Sequence, residues 1–406
     1  MTPTGGAYIE LSAAAEQIAV DLMDPPPITV ERPWAGSWLS GGHAGIALLH
    51  IERAHAETGT WDTAQSWIRA ATSHPASGGD DAGLFLGAPA IAFMLHTAGP
   101  GHYQDAAKQL APHIAGIAHQ RAAAGLHRIS AGVPATFAEY DIFRGLCGIG
   151  ALLLATDPTG SGLGHVLEYM IELTQPLRVG DLEVPGWWVG HDQHMATGAG
   201  PFAAGHANFG AAHGIAGPLA LLALATRRGI VIDGQTEAID TITSFLHRWR
   251  QDGPAGPWWP ETITADELAA GKPARVGPFR PSWCYGTPGI ARAGQLAAIA
   301  TGDYSEQDQF ENALDQCLTD QAQRALISDA GLCHGAAGLF QTVWRAANDA
   351  RTSNLHSHLP GLADDLRRLS AEQNGPGLVE GKAGAALALQ TAVTNQARKA
   401  GGIHAC

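Results

Sequence analysis

A glycine motif that returns seven times constrains this chain more than any other feature of its sequence. Gly-x-x-Gly, followed by a run of small residues and leucine, begins at Gly42, Gly145, Gly214, Gly286, Gly335 and Gly381. A degenerate copy begins at Gly87, with Ala90 in the last position. The starts lie 45 residues apart at the closest (42 to 87) and 72 at the widest (214 to 286). One such pair is ordinary helix packing, but seven with the same flanks are the mark of a structural repeat. The run behind each motif, such as Ile215 to Leu224, is apolar nearly all round, as in a helix buried on every side. Between these runs lie amphipathic stretches. Phe310, Leu314, Cys317 and Leu318 mark one apolar face; Leu355, Leu359, Leu362, Leu366 and Leu369 mark another. Buried and amphipathic helices in alternation predict an inner ring inside an outer ring, because each repeat buries its face only against its neighbours. The expected fold is all-α: a single α/α toroid of seven repeats spanning residues 1–406. The first glycine of each motif is read as permitting a tight turn, and the second as letting inner helices approach closely.

Two intervals depart from the rhythm. Residues 156–212 contain Leu177 to Val189, which reads as short strands or an irregular excursion, so this interval is the candidate inserted segment. Residues 253–281 are rich in Pro and Gly and carry Trp258-Trp259-Pro260. Loops of that length in a compact domain are usually functional.

Composition narrows the partners. Apolar residues make up 45% of the 406 and charged ones 15%, enough for a large core and too ordered a mixture for a disordered chain. The net charge is −14 with no Lys/Arg cluster to track phosphates, which argues against nucleic acid. Residues 1–18 lack a basic stretch followed by an apolar one, and no apolar run is long enough to span a bilayer. The five cysteines (147, 284, 317, 333 and 406) are too few and too scattered for a disulfide framework. A cytoplasmic protein with metal-binding or core cysteines is the expectation.

Aligning the seven copies shows where chemistry would sit. The position before the first glycine reads Gly41, Leu86, Arg144, His213, Tyr285, His334 and Glu380; the one before that reads Ser40, Phe85, Phe143, Ala212, Cys284, Cys333 and Val379. In a ring these loops open on one rim, so their side chains converge. Cys284, Cys333 and His334 then come from adjacent repeats, and two thiols with an imidazole make a zinc site with one coordination position open. A lone buried cysteine is more often a small core hydrophobe. That reading suits Cys147, inside its helix, and Cys317, on an amphipathic face. His213, Tyr285 and Arg144 add to the rim, with Asp141 and Arg280 a few residues upstream. Trp283 and the pairs Trp187/Trp188 and Trp258/Trp259 read as core or rim packing.

Three blocks resemble the signatures of lanthipeptide cyclases, the LanC family: Ser282 to Gly289 (SWCYGTPG), Cys333-His334-Gly335, and Asn208 to Gly214 (NFGAAHG). The glycine motifs and Val184-Pro185-Gly186-Trp187 fit as well, so the resemblance covers almost the full length. It implies an α/α toroid with zinc held by Cys284, Cys333 and His334. By motif match the family's catalytic histidine falls on His213, its acid on Asp141 and its arginine on Arg280, with Tyr285 inside the matching block. Some members carry a small inserted subdomain.

The implied reaction is a Michael addition. A cysteine thiol of a dehydrated precursor peptide, leader plus core, attacks the β-carbon of dehydroalanine or dehydrobutyrine and gives lanthionine or methyllanthionine. Metal coordination deprotonates a thiol outright. His213 is the candidate acid for the α-carbon, with Tyr285 as the second candidate. Asp141 would orient the imidazole, and Arg280 would stabilise the enolate oxygen. A dehydratase and an exporter are candidate partners. Two alternatives use the same residues: a LanC-like protein that adds glutathione to dehydrated residues, and a non-catalytic peptide-binding scaffold.

Overall fold

The computed structural model describes residues 5–29, 31–99, 101–192 and 200–399; Cys406 lies outside them. It contains seventeen α-helices and six short strands among the described residues. First come α1 (Gly5–Asp21), α2 (His43–His55), α3 (Trp61–Ala71), α4 (Ala88–Thr97) and α5 (Gln104–Ser130). Next are α6 (Phe137–Tyr140), α7 (Leu146–Thr156) and α8 (Ser161–Glu172). Strands β1 (Leu177–Val179), β2 (Leu182–Val184) and β3 (His206–Asn208) precede α9 (Ala216–Arg227) and α10 (Gln235–Trp249). Strands β4 (Gln251–Gly253), β5 (Gly256–Trp258) and β6 (Thr262–Thr264) lead to α11 (Ala265–Ala270), α12 (Thr287–Thr301), α13 (Tyr304–Thr319) and α14 (Gln321–Arg324). Then come α15 (Ala336–Asp349), α16 (Asn354–Ser370) and α17 (Lys382–Lys399). No helix among the described residues is long and apolar enough to cross a membrane.

The chain divides into two compact units. One comprises residues 1–77, 90–104 and 325–406; the other comprises 78–89 and 105–324. Each shows the expected alternation. In the second unit the buried helices α7, α9 and α12 lie side by side, backed by α8, α10 and α13. In the first, α15, α17 and α2 do the same, backed by α16, α1 and α3. Helix α1 thus backs the helix of the last repeat. The apolar faces read from sequence are the buried ones: Phe310, Leu314, Cys317 and Leu318 on α13, and Leu355, Leu359, Leu362, Leu366 and Leu369 on α16. Trp187, Trp188, Trp258 and Trp259 are buried as well.

Except for α9, which starts two residues after Gly214, each motif helix starts directly after the first glycine. That glycine is not left-handed: Gly42, Gly145, Gly286 and Gly335 cap their helices in extended conformation, with φ of −105°, −82°, −87° and −99°. Space, not backbone freedom, excludes a side chain there. A Cβ on Gly145 would lie 2.3 Å from the amide nitrogen of Asp141, and one on Gly286 2.4 Å from that of Ser282. The second glycine receives a carbonyl of its own loop rather than a neighbouring helix. A Cβ on Gly289 would lie 1.9 Å from the Trp283 oxygen, on Gly338 2.1 Å from that of Leu332, and on Gly148 2.0 Å from that of Ile142. The degenerate copy is built differently. Gly83 and Leu86 exchange backbone hydrogen bonds of 2.9 and 3.0 Å, Gly87 takes φ of +81°, and Ala90 packs fully buried.

Backbone hydrogen bonds stitch successive loops together. In the second unit Phe85 donates to the Phe143 carbonyl at 3.3 Å, Ile142 to Ala212 at 3.1 Å, and Ala212 to Cys284 at 3.3 Å. In the first, Cys333 donates to Val379 at 3.2 Å and Val379 to Ser40 at 2.9 Å. Apart from the Ile142 bond, which starts one residue earlier, each joins the position two before the first glycine to its counterpart in the next repeat.

The two intervals outside the rhythm carry the strands. Within 156–212 lie helix α8, the β1–β2 hairpin with Leu177 opposite Val184, and β3. Within 253–281, β6 pairs antiparallel with β3, setting Asn208 opposite Thr262.

Candidate active site

Asp141 caps the short helix α6 and is 1% exposed. Its Oδ1 accepts the backbone N–H groups of Arg144 and Gly145, both at 2.8 Å. Its Oδ2 accepts from Nδ1 of His213 at 2.7 Å. The loop of one repeat thereby aims the carboxylate at the imidazole of the next. His213 keeps 30% of its side chain exposed, against 2% for Asp141. With Nδ1 committed as donor, Nε2 is the ring nitrogen left for a substrate. Aromatic rings hold the imidazole. Phe143 stacks on it at 5.0 Å between centroids and 20° between planes, and Phe137 lies at 5.2 Å and 58°. Tyr285 is next, at 6.3 Å.

Tyr285 belongs to the loop that carries Cys284. Its hydroxyl accepts from Nδ2 of the buried Asn208 at 3.1 Å, while Asn208 Oδ1 accepts the Gly210 N–H at 2.9 Å. Burial pushes the phenol up to about 12, partly offset by that hydrogen bond, so it stands as a protonated donor. Cys284 is 5% exposed, with its Sγ 3.5 Å from the Ser282 hydroxyl. Arg280 is half-buried, and its guanidinium has no hydrogen-bond or ion-pair partner among the described residues. Glu261, just before β6, faces the same charges. Burial and then Cys284 hold its carboxyl above the usual value, against the opposing charges of Arg275 and Arg280.

In the other unit, Cys333 and His334 occupy the equivalent loop before α15. Both are half-buried. Asp329 anchors the loop by accepting the Gly331 N–H at 2.8 Å, and its other oxygen lies 3.8 Å from His334 Nε2. Glu380 lies 4.0 Å from Nδ1. Both separations exceed a hydrogen bond, so neither acid occupies a ring nitrogen at this distance. The remaining described cysteines are core thiols. Cys147 is buried and raised far above its ordinary pKa by burial; Cys317 is pushed up to about 12 by burial and donates to Gln323 at 3.3 Å.

The structure thus joins Asp141, His213 and Tyr285 in one cluster, with Cys284 on the adjoining loop and Arg280 two residues before Ser282. Asn208, Phe137, Phe143 and Glu261 are added to the residues expected from sequence. Asn208 lies in the block Asn208 to Gly214, and Phe143 shares the register position of the two candidate cysteines, so both had a signal. Glu261 and Phe137 had none.

The family model "Lanthionine synthetase C-like protein" matches residues 33–401. The nisin biosynthesis protein NisC of Lactococcus lactis subsp. lactis is 26% identical over 259 residues, 62% of this chain and 60% of that protein's length. The solved structure of nisin cyclase superposes with a TM-score of 0.76 at 22% identity, covering 94% of this chain and 93% of that one. At that identity the likeness shows the fold, and the fold is the expected helical α/α toroid. With the family model running from the first repeat to the last, the chain belongs to the lanthionine synthetase C-like family.

Proposed function

We propose that this protein is a zinc-dependent lanthipeptide cyclase, closing thioether rings in a dehydrated precursor peptide. The observation that carries the reading is the Asp141–His213 pair. A buried, doubly anchored carboxylate holds one nitrogen of a partly exposed imidazole at 2.7 Å, and His213 lies in the block Asn208 to Gly214 that resembles a family signature. The similarity to NisC and nisin cyclase supports the substrate class.

Cys284, Cys333 and His334 are the proposed zinc ligands. The assignment follows the blocks that resemble the family's signatures, Cys284 in Ser282 to Gly289 and Cys333-His334-Gly335. The donor set fits the metal, since thiolates with imidazole favour zinc over the hard cations that take oxygen. When bound there, zinc would supply the Lewis acidity that makes a peptide thiol ionise at neutral pH. In the reaction one S–H adds across one C=C. The C–S bond forms at the β-carbon, the π pair moves onto the enolate, and a proton arrives at the α-carbon; nothing leaves. His213 presents Nε2–H to that carbon while Asp141 stabilises the charged ring. Arg280, the arginine that the family resemblance points to, would stabilise the enolate oxygen. Tyr285, held by Asn208, is the second proton donor.

The test is mass spectrometry after thiol alkylation of a dehydrated precursor. Each ring removes one alkylation site at unchanged peptide mass. A product heavier by one glutathione would establish external thiol addition instead. Peptide thiols that persist at unchanged peptide mass, with zinc-loaded protein, cognate peptide and glutathione all present, would refute both.

A further inference from the structure

The rim position that holds Cys284 in its loop holds Phe143 and Phe85 two and three loops away, in the same unit. The backbone bonds between successive loops fix these two rings in a row beside His213. Phe143 stacks on the imidazole at 5.0 Å, and Phe85 lies on the far side of Phe143 at 4.4 Å and 34°. Neither ring is fully buried; Phe85 and Phe143 are half-buried, as are Leu86 and Ile142 beside them. Core packing does not explain two phenylalanines left open at the mouth of a site. Phe143 touches both the imidazole and Phe85, so the two rings continue an aromatic strip from the acid.

We propose that Phe143 and Phe85 form a specificity subsite that receives an apolar side chain flanking the dehydro residue of the peptide. The inference rests on the cyclase reading and goes further, to which sequences close readily. The spacing fits. Protonation puts the acceptor α-carbon at the Nε2 edge of His213, and neighbouring α-carbons follow at about 3.8 Å each. The adjacent residue therefore comes level with Phe143, and the next approaches Phe85. A leucine or phenylalanine there covers the strip, whereas a serine leaves its hydroxyl against apolar edges. Contacts of this kind typically change affinity by roughly two- to tenfold.

The experiment uses pairs of dehydrated peptides that differ only in the residue flanking the acceptor, leucine or serine. Ring closure is followed by alkylation and mass spectrometry, and binding by calorimetry of versions whose cysteine is replaced by serine. Wild-type protein should favour the leucine peptide by roughly two- to tenfold in kcat/KM and in Kd. Phe85→Ala and Phe143→Leu should bring both ratios toward one, and Phe85→Trp should keep them. A purely structural role would slow both peptides alike and leave the ratio intact, which would overturn the proposal, as would a wild-type ratio of one. Preferential binding without ring closure would support the strip and refute the cyclase reading; ring closure without preference would do the reverse.

Discussion

Replacing Asp141 by asparagine separates its two tasks. The carboxylate accepts two backbone N–H groups through Oδ1 and one imidazole N–H through Oδ2. Asparagine keeps the first pair of bonds, because its carbonyl oxygen can occupy the Oδ1 position. It loses the negative charge, and its NH2 group forces His213 to accept at Nδ1, leaving a neutral ring with its proton on Nε2. An imidazolium and a carboxylate about 4 Å apart, centre to centre, interact by about 4 kcal/mol at an effective dielectric of about 20. His213 is 30% exposed, so water screening lowers this to about 2–3 kcal/mol. At about 1.4 kcal/mol per tenfold, single-turnover ring closure by Asp141→Asn should slow roughly 30- to 150-fold, while thermal unfolding stays close to wild type. Asp141→Ala should also lose stability, because it strands the buried Gly145 N–H at about 1–3 kcal/mol and frees the part-buried Arg144 N–H as well. Ring closure by Asp141→Asn within threefold of wild type would refute the charge argument. So would a loss of stability equal to that of the alanine variant.

Further outcomes follow from other parts of the chain. Gly289→Ala places a Cβ 1.9 Å from the Trp283 carbonyl, so it should cost several kcal/mol in denaturant unfolding. Gly116→Ala, in the open on α5, should instead gain about 0.5–1 kcal/mol; equal effects would refute the steric account of the motif. Burial, then the charge of His191, holds His206 down to about 4 from 6.5, and neither ring nitrogen has a hydrogen-bond partner among the described residues. The unfolded chain therefore takes up this proton first, and stability should fall as pH drops from about 6.5 to 4, by up to about 1.4 kcal/mol per unit from this group. His206→Gln should flatten that slope in urea titrations, and an unchanged slope would refute the assignment. Purified protein should carry about one zinc per chain by elemental analysis. Cys284→Ser or Cys333→Ser should lower that content and Cys317→Ala should not; a Cys317-dependent metal would move the site.

The fold was legible because a repeat writes its constraint seven times. A glycine that must admit a carbonyl at about 2 Å tolerates nothing larger, so the motif survives wherever the loop does. The amphipathic faces were legible for a related reason, since Phe310 and Leu314 on α13 repeat at helical spacing and are buried accordingly. The meaning of each glycine was not legible. Spacing alone cannot distinguish two helices in close contact from a helix start pressed against its own loop. Nor can it show that Asn208 supports Tyr285 across 77 residues, or that Phe137 and Phe143 flank His213.

Those blind spots share a cause. Local pattern reports what a residue does to its own helix, whereas the site is made by hydrogen bonds between corresponding loops of different repeats. The Ala212 N–H bonded to the Cys284 carbonyl, and the Ile142 N–H bonded to that of Ala212, hold backbone only and are indifferent to the side chains carried there. One register position can therefore hold phenylalanine in one repeat, alanine in the next and cysteine in a third without altering the loop. The repeat supplies the geometry, and single substitutions at that position supply the chemistry. A change such as Phe143→Leu should accordingly redirect what the rim binds while leaving the glycine motifs, and the fold they enforce, as they are.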